Sequence, residues 1–267
     1  MPEGHAIHRF ARLHRSRLAG RRFSAASPQG RFSDGAARLD GRRLDAVDAA
    51  GKHLFYRWEG GLTLHVHLGL YGKFRVFDGD PPAPSPNTRL AISDHDVTLY
   101  LSGPADCSLV DPDEEEGIRA RLGPDPLADG NAGAARFATL LARRSVPVGA
   151  ALLDQKVAAG IGNVYRAELL FLEGIDPRRR AASIDDQTAH RLWERTVAEM
   201  RRGERAGRIV TVDPADIGAR SRRGLDPDER LYVYHREGLP CRRCGDAVVR
   251  HESAGRWIWS CPGCQPA

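Results

Sequence analysis

The stretch DQKVAAGIGNVY, residues 154–165, places two glycines between the end of one predicted helix and the start of the next. Gly160 and Gly162 can adopt the left-handed backbone angles that a tight turn needs, and Asn163 is a typical cap residue for the following helix. The N–H groups at such a helix start, with the Asn163 amide and the nearby Lys156, could bind a phosphate group. Two helices that merely pack around a glycine turn would show the same spacing.

The sequence on both sides of this turn is typical of a helical region, because its apolar residues recur with a period near 3.6. The predicted helices cover residues 134–144, 148–158, 162–173 and 183–205. Ser183 is the predicted N-cap of the last helix, since Asp185 and Asp186 then fall in its first turn. A loop is predicted over 208–230, and a short strand over 231–235.

The first 110 residues follow a different pattern. Apolar positions predict an amphipathic helix over 4–18, and strict alternation over 62–68 predicts antiparallel strands. Turn-forming residues at 59–61 and 94–96 predict hairpins. The proline- and aspartate-rich run at 111–126 breaks the strand pattern and indicates a domain boundary.

Two cysteine pairs near the C-terminus have the spacing of a structural zinc site. Cys241 and Cys244 can span one edge of a tetrahedron, and Cys261 and Cys264 another. The residues between the pairs alternate as in a β-hairpin, with Arg256 near its turn, where it could contact phosphate or remain solvated. Four thiolates leave no open position on the ion, so the predicted role of Zn²⁺ is structural. Two disulfides are the alternative.

These patterns together predict an α+β fold in three parts. An N-terminal helix with an antiparallel β-sandwich occupies residues 1–122, a helical domain 123–230, and a zinc finger 231–267.

Composition and charge exclude several protein classes. The chain of 267 residues is 41% hydrophobic, which excludes bulk disorder, and its longest apolar run is far shorter than the about 20 residues of a membrane span. The absence of a secretory signal and the metal-site cysteines predict a cytoplasmic protein. The net charge of +5 divides into basic regions over 1–110 and 178–250 around an acidic centre. Such a distribution is typical of a protein that binds a polyanion, and equally of a basic protein that is merely soluble.

The first residues could supply a nucleophile. Removal of Met1 would leave Pro2 with a secondary amine, which can attack an aldehydic carbon, and Glu3 could transfer the accompanying protons. Many proteins begin with a small residue without any such role, so the motif gains weight only in combination with others.

In combination, these elements resemble the formamidopyrimidine-DNA glycosylase and endonuclease VIII family of base-excision repair enzymes, over nearly the whole chain. The resemblance rests on Met-Pro-Glu-Gly at 1–4, Gly-Lys at 51–52, Arg-Leu-Gly-Pro-Asp at 121–125, the helix-two-turn-helix run at 154–170, and a zinc finger with Arg256 five residues before Cys261. It implies a monomeric enzyme acting on double-stranded DNA with oxidised bases or abasic sites.

The resemblance also implies roles for individual residues. Pro2 would form a Schiff base with C1′ of the deoxyribose, and Glu3 would be the acid/base that opens the sugar. Lys52 would be the second acid/base in β-elimination, which an amine can perform and a guanidinium cannot. Arg256 matches an arginine linked to DNA binding and δ-elimination.

DNA contacts are implied for five further residues. Arg121 and Asn163 match DNA contacts of the family, and Lys156 adds a cation beside Asn163. Leu70 and Tyr71 stand where the endonuclease VIII branch has part of the wedge that fills the gap left by the extruded nucleotide. These features favour that branch and oxidised pyrimidines as substrates.

Two departures and two rival functions accompany this interpretation. Gly69 stands where the branch has a side chain in its wedge, and Ala6 replaces an acidic residue. The rivals are a non-catalytic protein that binds damaged or abasic DNA on the same scaffold, and an RNA- or ribosome-associated zinc-ribbon protein. His65 and His67 share a strand face without a carboxylate at matched spacing, so they are interpreted as polar-face residues and not as metal ligands.

Overall fold

The computed structural model describes residues 2–267 and divides into two compact units. Unit 1 comprises residues 2–3 and Ile7–Ala120, and unit 2 comprises Gly4–Ala6 and Arg121–Ala267. The first turn of the N-terminal helix therefore groups with unit 2, although the rest of that helix groups with unit 1. No helix among the described residues is long and apolar enough to cross a membrane.

Unit 1 is a β-sandwich with three helices. Its elements are α1 (Gly4–Leu18), β1 (Ser24–Ala26), α2 (Ser33–Leu39), β2 (Leu44–Ala50), β3 (His53–Trp58), β4 (Leu62–His67), β5 (Lys73–Asp78), β6 (Thr88–Ser93), β7 (Val97–Ser102), β8 (Asp106–Val110) and α3 (Pro112–Ala120). The strands form two antiparallel four-stranded sheets, ordered β1-β6-β7-β5 and β2-β3-β4-β8. One hydrophobic core joins both sheets to the apolar face of α1.

The predicted boundary loop at 111–126 begins with a helix instead. Pro112 opens α3, and three acidic residues follow in its first turn. Proline at a helix start loses no hydrogen bond, and the carboxylates face the positive end of the helix dipole. Glu115 on α3 accepts hydrogen bonds from Arg57 at 2.6 and 2.9 Å, which fixes α3 against the sheet. The prediction missed these stabilising contacts.

His14 of α1 lies in the core of unit 1 in its neutral form. Its Nδ1 lies 2.8 Å from the Tyr56 hydroxyl oxygen, and its ring meets the Phe74 ring edge-on. Burial lowers the pKa of His14 to about 4, with a smaller contribution from Arg17. The folded protein thus holds His14 in an environment that disfavours its protonated form.

We expect unit 1 to lose stability in mild acid because of this histidine. Below pH 6.5 the unfolded chain protonates at residue 14 while the folded chain does not, so the free energy of unfolding falls until about pH 4. The loss from His14 between pH 7.5 and pH 5 is about 2 kcal/mol. Urea unfolding at both pH values measures it. His14→Gln should weaken the pH dependence, and the exposed His95→Gln should not; equal pH dependence in both variants would contradict the assignment.

Unit 2 is built from helices and a C-terminal hairpin. Its elements are α4 (Ala134–Ala142), α5 (Val148–Ala151), α6 (Asn163–Leu172), α7 (Asp186–Ala206), β9 (Val249–Ser253) and β10 (Arg256–Ser260), with short 3₁₀ turns between them. A single hydrophobic core extends from α4 to the hairpin and includes the fully buried Trp193 and Tyr232. The predicted fold class is confirmed, including the N-terminal helix, the antiparallel sheets and the helical region.

Local predictions in unit 2 needed correction. The predicted helix over 148–158 ends at Ala151, because the chain continues in successive tight turns. The cap of α7 is Asp185 and not Ser183, since the Asp185 side chain accepts a hydrogen bond from the Thr188 N–H at 2.8 Å. Residues 231–235 form no strand.

Glu168 of α6 explains why the predicted strand is absent. The carboxylate is fully buried and accepts hydrogen bonds from three successive N–H groups, those of Tyr232, Val233 and Tyr234, at 2.8–2.9 Å. The Thr211 hydroxyl donates to the same carboxylate. The Glu168 carboxylate thus supplies the acceptors that the backbone N–H groups of this buried irregular segment need. Period-2 alternation in the sequence does not reveal such a side-chain partner.

Candidate nucleic-acid interface and active-site residues

The predicted nucleophile and its acid/base partner lie at the start of α1. Glu3 occupies the N-cap position in an extended conformation and is fully buried. Pro2 precedes it and is half-buried. Glu3 and Pro2 are thus the residue types that the chemistry requires: a carboxylate that can transfer protons, next to a residue that can supply an amine nucleophile.

Gly4, which follows Glu3, is anchored against the glycine turn of unit 2, the turn around Gly160 and Gly162. Its N–H donates to the Gly160 carbonyl at 2.8 Å. A Cβ at residue 4 would lie 2.7 Å from Met200 Cε and 2.8 Å from Gly160 Cα, closer than any normal contact. Only glycine fits here, which is a structural reason for Gly4 in the Met-Pro-Glu-Gly motif.

Gly4→Ala is therefore expected to destabilise the protein by about 1–3 kcal/mol, since the backbone at Gly160 cannot move away cheaply. Gly117→Ala is a matched control in α3, where an added Cβ would meet nothing within 4 Å. It should be neutral or slightly stabilising, because alanine is the better helix former. Thermal melting of both variants compares the two sites; an unaffected Gly4→Ala would refute the close approach.

The glycine turn is held by a side chain that the sequence analysis did not single out. Gln155 Oε1 accepts from the Gly160 N–H at 2.9 Å, and Gln155 Nε2 donates to the Ile161 carbonyl at 3.0 Å. Gly160 has the expected left-handed φ of +88°, but Gly162 is extended with φ of −122°, so that part of the prediction is wrong. The Gln155 side-chain amide, and not a second left-handed glycine, therefore fixes the backbone of this turn.

Asn163 is the first residue of α6, and its predicted capping role is wrong because Gly162 occupies the cap position. The Asn163 Nδ2 donates to the Trp257 carbonyl of β10 at 3.1 Å. The residue is 8% exposed, whereas the Lys156 side chain is exposed. Asn163 therefore ties the helix start to the hairpin, and Lys156 provides an accessible cation on the same turn.

Arg166, one turn along α6, is a second unforeseen link to the hairpin. Its guanidinium is fully buried and donates to the carbonyls of Gly149 at 3.0 Å and Trp257 at 3.2 Å. A buried guanidinium is costly to leave unpaired, so these bonds fix the β9–β10 hairpin relative to α6. The sequence carried one signal, an arginine within a mostly apolar helix.

Arg256 lies directly after the hairpin turn, as predicted. Ala254 and Gly255 form the turn with φ of +54° and +68°, and Arg256 opens β10 with its side chain exposed. Next to it, Trp257 is 47% exposed and carries the Arg250 guanidinium 4.2 Å above its ring. The hairpin thus presents cations and an aromatic ring, the groups that bind phosphates and bases.

The four predicted zinc ligands converge behind this hairpin. The Sγ atoms of Cys241, Cys244, Cys261 and Cys264 all lie within 4.8 Å of one another. The Cys241–Cys264 distance is 3.8 Å, close to the about 3.8 Å between sulfurs around a tetrahedral zinc ion. The Arg243 N–H also donates to Cys241 Sγ at 3.4 Å, as expected for a stabilised thiolate. The donor set and its spacing fit Zn²⁺.

In unit 1, Lys52 lies half-buried in the turn between β2 and β3. Beside it, His53 Nδ1 lies 2.8 Å from His65 Nε2, and His65 Nδ1 lies 2.8 Å from an Asp106 oxygen. The spacing of residues around His65 does not reveal this carboxylate, because Asp106 comes from the neighbouring strand β8, 41 residues farther along the chain. Burial lowers the pKa of His65 and of His67.

Leu70 and Tyr71 are strongly exposed, at 53% and 83%, in the turn that follows β4. Exposed large apolar side chains are suited to insertion between bases. Gly69 beside them has φ of +64°, and a Cβ there would lie 2.7 Å from Ala105 Cβ. Glycine at this position is thus required by the local backbone, which explains the departure noted in the sequence.

Arg121 is exposed at the start of unit 2. The Gly-Pro-Asp residues after it bond to the glycine turn: the Gly123 N–H donates to the Gln155 carbonyl at 2.8 Å, and the Ala159 N–H to the Pro124 carbonyl at 2.9 Å. Within unit 2, hydrogen bonds thus link the segments that carry Arg121, Lys156, Asn163 and Arg256 to one another.

Known proteins match this chain over most or all of its length. Residues 1–113 match the formamidopyrimidine-DNA glycosylase N-terminal domain, and residues 122–213 match the formamidopyrimidine-DNA glycosylase H2TH domain. The chain is 45% identical to Endonuclease 8 1 of Mycobacterium tuberculosis, over 99% of this chain and 100% of that protein. It is 36% identical to formamidopyrimidine-DNA glycosylase of Thermus thermophilus, over 86% and 85% of the two chains.

A solved structure shares the fold along the whole chain. Fpg of Lactococcus lactis, in complex with DNA containing N7-benzyl-Fapy-dG, superimposes with a TM-score of 0.83 at 23% identity, covering 100% of both chains. At that identity the likeness establishes the fold alone.

Proposed function

Because this chain belongs to the formamidopyrimidine-DNA glycosylase and endonuclease VIII family, we propose that it is a bifunctional DNA glycosylase and AP lyase that removes oxidised bases, preferentially pyrimidines. The observation that carries the proposal is the complete burial of Glu3 directly after Pro2. A carboxylate is rarely placed out of water at a chain start unless its chemistry is needed there. The relative of 45% identity bears the endonuclease 8 name, which supports the preference for pyrimidines.

The first chemical step uses Pro2 and Glu3. The Pro2 nitrogen attacks C1′ and the bond from C1′ to the base breaks. The proton that the Pro2 nitrogen loses on forming the new bond goes to the departing base. Glu3 donates a proton to the ring oxygen as the sugar opens, so the product is an iminium linking Pro2 to the open sugar.

The second step cleaves the strand. Lys52 removes a proton from C2′, and the electron pair forms a double bond while the 3′ phosphate leaves. Water then releases the aldehyde and restores the Pro2 amine. Arg256 would hold a phosphate during this step and assist a second elimination.

The DNA contacts follow from the same assignment. Lys156, Asn163 and Arg121 would bind backbone phosphates, and Leu70 and Tyr71 would fill the gap left by the extruded nucleotide. Cys241, Cys244, Cys261 and Cys264 would hold one Zn²⁺, which supplies structural rigidity to the hairpin when bound. We propose the three-part organisation over 1–122, 123–230 and 231–267 on this basis.

Borohydride trapping tests the proposal. The chain is incubated with duplexes containing 5-hydroxyuracil, thymine glycol, 8-oxoguanine or an abasic site, and reduction of the iminium leaves a covalent adduct. We expect adducts with the pyrimidine lesions and the abasic site. The absence of an adduct with every duplex would refute the lyase mechanism and favour the non-catalytic DNA-binding alternative. Intact-mass measurement supplies a second check, since retained Met1 would block the amine.

A further inference from the structure

A pocket of about 540 Å³ on unit 2 is surrounded by arginines that the proposed chemistry does not use. Its lining comprises Arg202, Arg205 and Ala206 from the end of α7, Arg208 and Val210 from the segment that follows, and Arg222 and Arg223 from a 3₁₀ turn farther along the chain. Two segments that are distant in sequence therefore bring five guanidinium groups to one pocket.

The positive charge of the pocket arginines exceeds the negative charge of the carboxylates named beside them. Glu199 binds Arg202 through both oxygens at 2.6 Å, and an Asp213 oxygen lies 3.9 Å from Arg222. Glu204 is a third carboxylate in the same helical turn. Even if all three neutralise an arginine, two positive charges remain in excess at the pocket.

The arginines are held in place by backbone contacts. Arg208 Nη2 donates to the Arg223 carbonyl at 2.7 Å, and Arg222 Nε donates to the Val212 carbonyl at 2.9 Å. These bonds fasten the 3₁₀ turn to the segment after α7. Within residues 2–267, the Arg223 guanidinium itself makes no hydrogen bond or ion pair. The pocket is thus a preorganised cation cluster with capacity for an anion.

The lining also restricts the kind of anion. Guanidinium groups match phosphate oxygens in pairs. The side chains that line the pocket include no aromatic ring to stack on a base and no amide to read one. The site therefore suits a phosphate group whose base is not recognised, as in a nucleic-acid backbone.

The proposed function favours DNA over a free phosphate compound as the occupant of the pocket. A Cβ at Gly203, between two of the pocket arginines, would lie 3.2 Å from His5 Cδ2. His5 follows Glu3 by two residues. The helical turn that carries Arg202 and Arg205 thus packs, within unit 2, on the first turn of α1. Because the substrate under the proposed function is DNA, a strand backbone is the phosphate source that this pocket would meet.

We propose that this arginine pocket binds a backbone phosphate of the substrate strand, separately from the glycine turn and the zinc-finger hairpin. The inference rests on the proposed function, because it takes the DNA strand of that reaction as its ligand.

Binding without catalysis tests the pocket. Fluorescence anisotropy measures the affinity for a duplex with a tetrahydrofuran abasic analogue between 50 and about 300 mM KCl. R205Q/R223Q should weaken binding about tenfold and reduce the slope of log K against log salt by about 1–2, since each lost phosphate contact contributes about 0.9. R191Q/R195Q removes the same charge from exposed positions of α7 near Glu173 and should change neither. Equal effects of both pairs, or none from R205Q/R223Q, would overturn the proposal.

Sodium pyrophosphate distinguishes the alternative source of phosphate. If it raises the melting temperature of the wild type but not of R205Q/R223Q, and the DNA slope is unchanged, the pocket binds a free phosphate compound and the proposal is wrong. Failure of the catalytic proposal remains distinguishable, because the analogue needs no nucleophile. If the wild type cannot be trapped on DNA but R205Q/R223Q still lowers the salt slope, the catalytic proposal fails and the pocket proposal stands. If the wild type is trapped but R205Q/R223Q leaves the slope unchanged, the pocket proposal fails and the catalytic proposal stands.

Discussion

Glu3→Gln is expected to reduce borohydride trapping on abasic-site DNA by a factor of about 10² to 10⁴, the usual contribution of a positioned acid/base group. Gln has the shape of Glu but cannot give up or take a proton at the sugar oxygen. Because Glu3 is fully buried at the N-cap of α1, the isosteric change should leave the backbone in place.

Two measurements make this result specific to chemistry. Affinity for the tetrahydrofuran duplex and the melting temperature should change little in Glu3→Gln, whereas a structural role would lower both. A chain extended by one alanine ahead of Pro2 is the matched comparison for the nucleophile, because its amine is displaced while Glu3 is intact. Wild-type levels of trapping in the extended chain would show that another amine forms the adduct.

Cys261→Ser is expected to release the zinc ion and abolish DNA binding at physiological salt. Cys261 is fully buried among the four sulfurs, and a hydroxyl is a poor replacement for a zinc-bound thiolate. Binding of structural zinc provides about 10 kcal/mol or more of folding free energy in isolated finger peptides, so the hairpin that presents Arg256 should lose its order.

Cys107→Ser is the control for this experiment. Cys107 is also buried, in the core of unit 1, and does not belong to the four-cysteine cluster. Burial raises the pKa of its thiol to about 12. Native mass spectrometry should detect one zinc ion in the wild type and in Cys107→Ser, and none in Cys261→Ser. A zinc-free wild type that binds DNA normally would contradict the structural role of the metal.

The sequence predicts well where spacing alone determines structure. The α1 helix begins at Gly4 and ends at Leu18 as its apolar period indicated, and the two cysteine pairs meet as their spacing required. Both depend on local geometry, which residue patterns encode directly.

Predictions failed where a distant side chain decides the local structure. Glu168 binds the N–H groups of 232–234 and prevents a strand, and Gln155 fixes the glycine turn although Gly162 is not left-handed. Arg166 and Asp106 also contribute through neighbours that are far along the chain. Buried polar groups must find partners, but the sequence does not show which partners the fold will supply.

The contact between Gly4, Gly160 and Met200 has a consequence for how this sequence can vary. Three positions separated by more than 150 and by 40 residues share one small space, in which an added carbon at residue 4 collides with both of the others. A larger residue at 4 would need a shorter side chain at 200 and a displaced turn at 160. Substitutions at these positions should therefore arise together among related chains, as a correlated set and not one at a time.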